Sequence, residues 1–189
     1  MSNRNIHIHP VENAGALESS FRYRFQNPGN ILKNFLKPGM TVLDLGCGPG
    51  FFTTEIARML GGSGKVIAAD IQNGMLEKVR QKISGSDLEY VVQIHKCKVE
   101  SLNLTDKFDF VFAFYSFHEM SCLDNIIDEI KLLLKPEGEI FIAEQKFHVP
   151  KSTFIDMIGK MRKRGFEITG RPKVFLSRAV VMKRAEAVH

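Results

Sequence analysis

Apolar positions along this chain follow two rhythms that take turns. Strand-length apolar runs fall at 41–45, 66–69, 90–94, 108–114 and 139–143. Between them apolar residues recur at helical spacing: Phe52, Ile56, Met59 and Leu60, then Leu76, Val79 and Ile83, then Ile126, Ile127, Ile130, Leu133 and Leu134. This alternation predicts an α/β fold, a parallel sheet with helices on both faces. The run at 108–114 is almost wholly apolar and is expected at the centre of the sheet, covered on both sides.

The polar residues punctuate these runs. Asn27 followed by Pro28 reads as an N-cap with proline at the first helical position, opening a short helix whose face carries Ile31, Leu32, Phe35 and Leu36. Ser121 and Asp124 predict a capping box ahead of the helix that begins near Ile126. Lys135-Pro136-Glu137-Gly138 predicts a turn into a fifth strand, and Gly165 an αL cap closing a helix over 152–164. Residues 166–183 read as two more strands separated near 170–173.

Composition narrows the class. The 189 residues suit one domain, expected over 31–189 with a cap segment over 1–30. Apolar residues at 44% and charged residues at 25% are the balance of a soluble globular protein. No apolar run approaches the ~20 residues that cross a bilayer. The opening MSNRNIHIHP lacks the apolar core of a signal peptide. Cys47, Cys97 and Cys122 are odd in number and not closely paired, so reduced thiols and a cytoplasmic location are expected. His7 and His9 form an H-x-H pair with no neighbouring Cys or acid to complete a ligand set, and no metal site is expected. The net charge of +5 is uneven: from Lys146 onward eleven Lys or Arg face three acids, whereas the first 145 residues carry fifteen against eighteen. Such a basic end is either a solvated face or an attraction for nucleic acid.

The chemistry concentrates where the first strand gives way to a helix. Val42-Leu43-Asp44-Leu45-Gly46-Cys47-Gly48-Pro49-Gly50 places three glycines in a turn where a ligand can approach the main chain closely. Asp70, ending the second strand twenty residues after Gly50, can accept both hydroxyls of a ribose. The nicotinamide fingerprint has the spacing G-x-G-x-x-G and holds a pyrophosphate on the helix N-terminus. Here the spacing is G-x-G-x-G, and Asp44 stands two residues before the first glycine. A carboxylate there repels a pyrophosphate and suits a cationic ligand, so an NAD-dependent oxidoreductase is disfavoured.

At these residues the chain resembles the class I SAM-dependent methyltransferases, particularly the type 11 and UbiE-like group. The stretch 42–50 is similar to their motif I, 65–70 to their second motif, 108–120 to their fourth, and 134–140 to the turn before their fifth strand. The resemblance implies a Rossmann-like domain with a seven-stranded, mostly parallel sheet and an antiparallel last strand, with S-adenosyl-L-methionine (SAM) as cofactor. It puts Asp44, Gly46, Cys47 and Gly48 at the methionine end, with Gly50 completing the loop. Asp70 falls on the ribose, Ile71 beside the adenine, and Phe114 and Tyr115 at the sulfonium. Many relatives carry an acid after the third strand to meet the adenine amino group. This chain has Lys98 there, which cannot accept that bond, and Glu100 or a backbone carbonyl is the expected substitute.

Other candidates sit on the same rim. His118, beside Glu119, is positioned to act as a general base. Glu144, Lys146 and His148 are candidate substrate contacts. Phe21, Tyr23 and Phe25, alternating with Arg22 and Arg24, could fold over the cofactor or pack as a cap. The expected reaction is methyl transfer to an acceptor, first a small molecule. The alternatives are RNA, drawn by the basic C-terminal region, and a non-catalytic SAM-binding protein. Against RNA, 114–117 read Phe-Tyr-Ser-Phe and lack the motif of enzymes that methylate base amino groups.

Overall fold

A computed structural model describes residues 25–185. Helix α1 (Pro28–Leu32) opens as the sequence predicts, with Pro28 at its start and the Asn27 side chain accepting from the Asn30 amide at 3.0 Å. The elements then alternate: β1 (Thr41–Leu45), α2 (Thr53–Leu60), β2 (Lys65–Asp70), α3 (Asn73–Ile83), β3 (Val92–Lys96), β4 (Phe108–Phe114), α4 (Leu123–Leu133), β5 (Leu134–Gln145), α5 (Lys151–Lys163), β6 (Phe166–Gly170) and β7 (Ser177–Arg184).

The seven strands form one sheet in the order β3-β2-β1-β4-β5-β7-β6. The pairings from β3 through to β5 are parallel, and β7 runs antiparallel between β5 and β6. From β1 the chain winds outward to β2 and β3, then returns to lay β4 on the other side of β1. That reversal opens a crevice at the C-terminal ends of β1 and β4, where ligands bind in open α/β sheets.

Alternation along each strand splits the core into two layers. Leu43 and Leu45 face one way and pack with Ile126, Ile130, Phe154 and Met161 of α4 and α5. Val42 faces the other way and joins Leu32, Ile56, Leu60, Leu76 and Val79 of α1, α2 and α3. A phenylalanine ladder, Phe110, Phe112 and Phe114, runs along the second face of β4, and Phe52 caps it with its ring 4.5 Å from that of Phe114. Ring burial of this kind locks β4 and the start of α2 to each other, and with them the crevice between.

Several elements depart from expectation. The third strand starts two residues late because Asp87–Tyr90 forms a 3-10 turn that leaves Tyr90 89% exposed. The Lys135 to Gly138 turn is absorbed into β5 as an irregularity, the pairing with β4 slipping from Phe108–Leu134 to Phe110–Glu139. The capping box does not form: Cys122 is the N-cap of α4 without a side-chain bond. Asp124 instead pairs with Lys160 at 3.3 Å and Arg164 at 3.0 Å. Gly165 takes its expected left-handed conformation at φ 82°.

Among the described residues no helix is long and apolar enough to cross a membrane, and no group of His, Cys, Asp and Glu is arranged to hold a metal. His7, His9, Phe21, Arg22, Tyr23 and Arg24 lie outside the described residues.

Candidate active site

A cleft opens at the β1/β4 crevice. Asp44, Gly46, Cys47, Gly48, Asp70, Ile71, Phe114, Tyr115 and His118 all line it. Gly50 and Glu100 do not. Gly50 packs against Val79 beneath the loop, and Glu100 is exposed beyond the wall formed by Lys98 and Val99. Of the candidate substrate contacts, His148 lines the cleft, whereas Lys146 is exposed beyond it. Glu144 is fully buried beneath the rim, so it is no surface for a substrate.

The loop after β1 is held by its own amides. Gly46 N and Cys47 N both donate to the Ala69 carbonyl, at 2.8 and 3.0 Å, and Gly50 N donates to the Cys47 carbonyl at 3.1 Å. Gly48 N donates to Asp70 Oδ2 at 3.0 Å, while Gln72 N donates to Oδ1 at 2.8 Å. An anion-binding loop needs such N–H groups aimed outward. Here the β2 end and the Cys47 carbonyl have consumed them, and the carboxylates of Asp44 and Asp70 line the cleft. Gly46 sits at φ 72°, and a Cβ there would fall 2.3 Å from Ser116 Cβ. The two segments that end β1 and β4 therefore touch without side chains between them. Ser116 Oγ completes the contact by donating to the Leu45 carbonyl at 2.6 Å.

Asp44 is buried, and its Oδ2 accepts from Thr53 Oγ1 at 2.6 Å, tying the end of β1 to the first residue of α2. Thr53 is a site residue that sequence reading missed. The signal was present, as a hydroxyl at a helix start nine residues past an acid that has to be buried. Asp70 is pushed above the usual carboxylate value by burial, against the amides of Gln72, Gly48 and Ile71, which favour its charged form. Burial, with Asp44 and Asp70 beside it, holds the Cys47 thiol well above its ordinary value. Burial also pushes Cys97 up to about 12. Neither supplies a thiolate near neutral pH.

At the β4 end of the cleft, Tyr115 has φ 65° and turns its hydroxyl to Ser177 Oγ at 2.5 Å and to the Gln26 side chain. Phe25 stacks on Phe175 at 4.8 Å, so the chain entering α1 lies against the start of β7. Met120, Ser121 and Gln145 complete this end. Beside them His118 takes its orientation from Glu144, Nδ1 to Oε2 at 2.7 Å and backbone N to Oε1 at 3.0 Å.

A family model described as "Methyltransferase domain" matches residues 36–167. The chain belongs to this family, the class I SAM-dependent methyltransferases of the UbiE-like type. A demethylmenaquinone methyltransferase from Lactobacillus johnsonii is 34% identical over 110 residues, 58% of this chain and 45% of that protein. The ubiquinone/menaquinone biosynthesis C-methyltransferase UbiE of Shewanella frigidimarina is 29% identical over 130 residues, 68% of this chain and 51% of that protein. The chain thus spans about half the length of these curated relatives. A crystal structure of a SAM-dependent methyltransferase from Aquifex aeolicus superimposes with a TM-score of 0.83 at 26% identity, covering 93% of this chain and 98% of that one. Its seven-stranded Rossmann-like fold and its cofactor class, SAM, follow from this membership.

Proposed function

We propose that this methyltransferase moves the methyl group of SAM to a small molecule, and that the β1/β4 cleft is where it does so. The observation that carries the reading is the loop 46–50, whose amides are spent on Ala69, Cys47 and Asp70 while Asp44 and Asp70 face the cavity. A pyrophosphate would meet carboxylates and no free nest of N–H groups. A ligand bearing an ammonium, a sulfonium and a ribose meets complementary charge.

The residues fit that ligand. Asp70 retains lone pairs beyond the two amide bonds and can accept ribose hydroxyls. Asp44, Gly46, Cys47 and Gly48 take the amino-acid end, Ile71 flanks the base, and Phe114 and Tyr115 wall the reacting end. Val99 and Lys98 close the adenine side, leaving the amino group to backbone carbonyls instead of Glu100. When bound, SAM supplies a methyl group on a sulfonium that is already a good leaving group. The protein's own contribution is alignment. Holding the reacting atoms about 3–3.5 Å apart can supply most of the rate gain. Tyr115 and Ser116 are placed for this by the contact of Gly46 with Ser116.

The acceptor enters beside Tyr115, His118 and His148, where the Gln26 side chain bonds the Tyr115 hydroxyl. The curated relatives act on quinone precursors by their names, and an aromatic ring of that kind suits the space between Phe114, Tyr115 and Met120. The unpaired thiols Cys47, Cys97 and Cys122 fit a reducing, cytoplasmic setting. Calorimetric titration with SAM, S-adenosylhomocysteine and NAD tests the reading. The two adenosyl compounds should bind at micromolar concentration and NAD should not; binding of NAD alone would overturn it.

A further inference from the structure

We infer that Gln26 and Ser177 are positioning residues for methyl transfer: through the hydroxyl of Tyr115 they fix the aromatic wall of the cleft, and with it the means of telling SAM from S-adenosylhomocysteine. Both residues lie outside the stretch 36–167 matched by the family model, and their role rests on the reading above that Phe114 and Tyr115 wall the reacting end.

The direction of the hydrogen bonds is set at one end. Ser177 Oγ donates to the Phe175 carbonyl at 3.0 Å, and a carbonyl can only accept. The hydroxyl proton of Ser177 is thereby used, so its oxygen accepts from Tyr115 Oη, 2.5 Å away. Tyr115, having given its proton, accepts from Gln26 Nε2. The donors therefore run in series from Gln26 to Tyr115 to Ser177 to Phe175. The ring of Phe175 stacks on Phe25, the neighbour of Gln26. Three stretches distant in sequence are closed into one circuit: the entry to α1, the end of β4 and the start of β7. Gln26 is 9% exposed and Ser177 6%, and polar side chains buried to that degree cost free energy unless they are bonded.

The circuit holds the backbone where it does not rest by itself. Tyr115 and Leu176 have φ 65° and 53°, two of the three non-glycine residues with positive φ among the described residues. A bulky residue stays in that region only when its surroundings over-determine it. Tyr115 is pinned further by its amide, which donates to the Ala143 carbonyl at 2.9 Å, and its ring centre lies 4.2 Å from that of Phe114. With its proton given to Ser177 and its oxygen taken by Gln26, the phenol contributes the placement of its ring and no proton chemistry. Tyr115 and Phe114 both line the cleft. A sulfonium is drawn to an aromatic face by the ring quadrupole, whereas the neutral thioether of S-adenosylhomocysteine is not. A Tyr115 ring released from the circuit gives up this selective part of the binding and leaves the adenosine and amino-acid contacts in place.

The test compares the wild-type chain with Gln26→Leu, Tyr115→Phe, Ser177→Ala and the double variant Gln26→Leu with Tyr115→Phe. Folding is checked by urea denaturation, and calorimetry measures affinity for SAM and for S-adenosylhomocysteine. Each variant should lose about 3–10-fold in SAM affinity, the scale of a displaced cation–π contact, while S-adenosylhomocysteine affinity stays within about twofold. The double variant should bind SAM within about twofold of Tyr115→Phe, because both changes act through one hydroxyl. The chain has no tryptophan and three tyrosines, so ultraviolet difference spectra report the phenols. A phenol that donates a hydrogen bond absorbs to the red, and Ser177→Ala should shift the tyrosine band to the blue. Unchanged SAM affinity, equal losses for the two ligands, additive effects of Gln26→Leu and Tyr115→Phe, or an unshifted band would overturn the positioning role and leave methyl transfer standing. A wild-type chain that binds neither ligand overturns the underlying reading instead.

Discussion

Replacing Gly46 by alanine probes the contact that joins the two halves of the cleft. Gly46 is held at φ 72°, where an L side chain costs about 1–2 kcal/mol. The new methyl would sit 2.3 Å from Ser116 Cβ and 2.7 Å from its Oγ. Ser116 cannot swing away, because the crowded atom is next to its backbone and its hydroxyl is committed to the Leu45 carbonyl. Overpacking of this kind adds about 1–3 kcal/mol, so Gly46→Ala should lose about 2–5 kcal/mol by urea denaturation. SAM affinity should fall at least about tenfold, as β1 and β4 separate at the point where ligand binds. Two controls isolate the cause. Gly48→Ala shares the positive φ but meets nothing within 4 Å, so it should cost only about 1–2 kcal/mol. Ser116→Gly removes the colliding atom, and in a double-mutant cycle it should recover about 1–3 kcal/mol of the Gly46→Ala loss. Gly46→Ala within about 0.5 kcal/mol of wild type, or additive effects of the two changes, would refute the steric reasoning.

Three further outcomes follow from single contacts. Asp70→Ala removes the acceptor of the Gly48 and Gln72 amides and the proposed ribose partner, so calorimetry should show SAM affinity reduced at least about tenfold in a protein that remains folded. Thr53→Val leaves buried Asp44 without its 2.6 Å hydroxyl donor and should cost about 1.5–3 kcal/mol by urea denaturation. Glu119, at about 7 in the fold against an ordinary 4.5, binds a proton in the native state that the unfolded chain has released. Stability should therefore fall as pH rises between those values, and Glu119→Gln should flatten the slope in pH-dependent melting.

What the sequence disclosed, and what it hid, divides along physical lines. The bounds 41–45 and 108–114 were legible to the residue, since strands covered on both faces read as mostly apolar runs, here broken only by Asp44 and Asp109 after their first residues. The edge strand β3 buries little of its outer length and carries a weaker pattern, so its start was misplaced by two residues. Asp124 read as a helix cap because local sequence favours it. Lys160 and Arg164, distant in the chain, compete for the same carboxylate and hold it. That Gly46, Gly48, Asp44 and Asp70 meet at one cleft was legible because their spacing is local to one strand–helix–strand unit. The role of Glu144 was not. Whether a carboxylate at a strand end faces solvent or sinks beneath a histidine is decided by the β4–β5 pairing and the turn after β4, neither of which leaves a mark at position 144.

The same tertiary placement bears on RNA, and the basic C-terminal region can be tested for it. Lys160, Arg162, Lys163 and Arg164 close α5, and Lys183 and Arg184 close β7. Both elements end beside the start of β6, at the opposite end of the sheet from the cleft. Part of that charge is spent there, Arg164 on Asp124 and Asp128 and Lys183 on Glu167. Arg178, on the cleft side, donates to the carbonyls of Lys146 and Val149. That leaves Lys146, Lys151, Arg171 and Lys173 exposed near the rim. Each phosphate contact to a single strand contributes about −0.7 to the slope of log affinity against log salt. An RNA acceptor seated over the cleft on these four would therefore show a slope near about −3, removed by changing all four to glutamine. For a neutral small-molecule acceptor, the KM should be indifferent to salt and to the fourfold change. Methyl transfer that weakens steeply with salt and collapses in the fourfold variant would displace the small-molecule reading in favour of RNA.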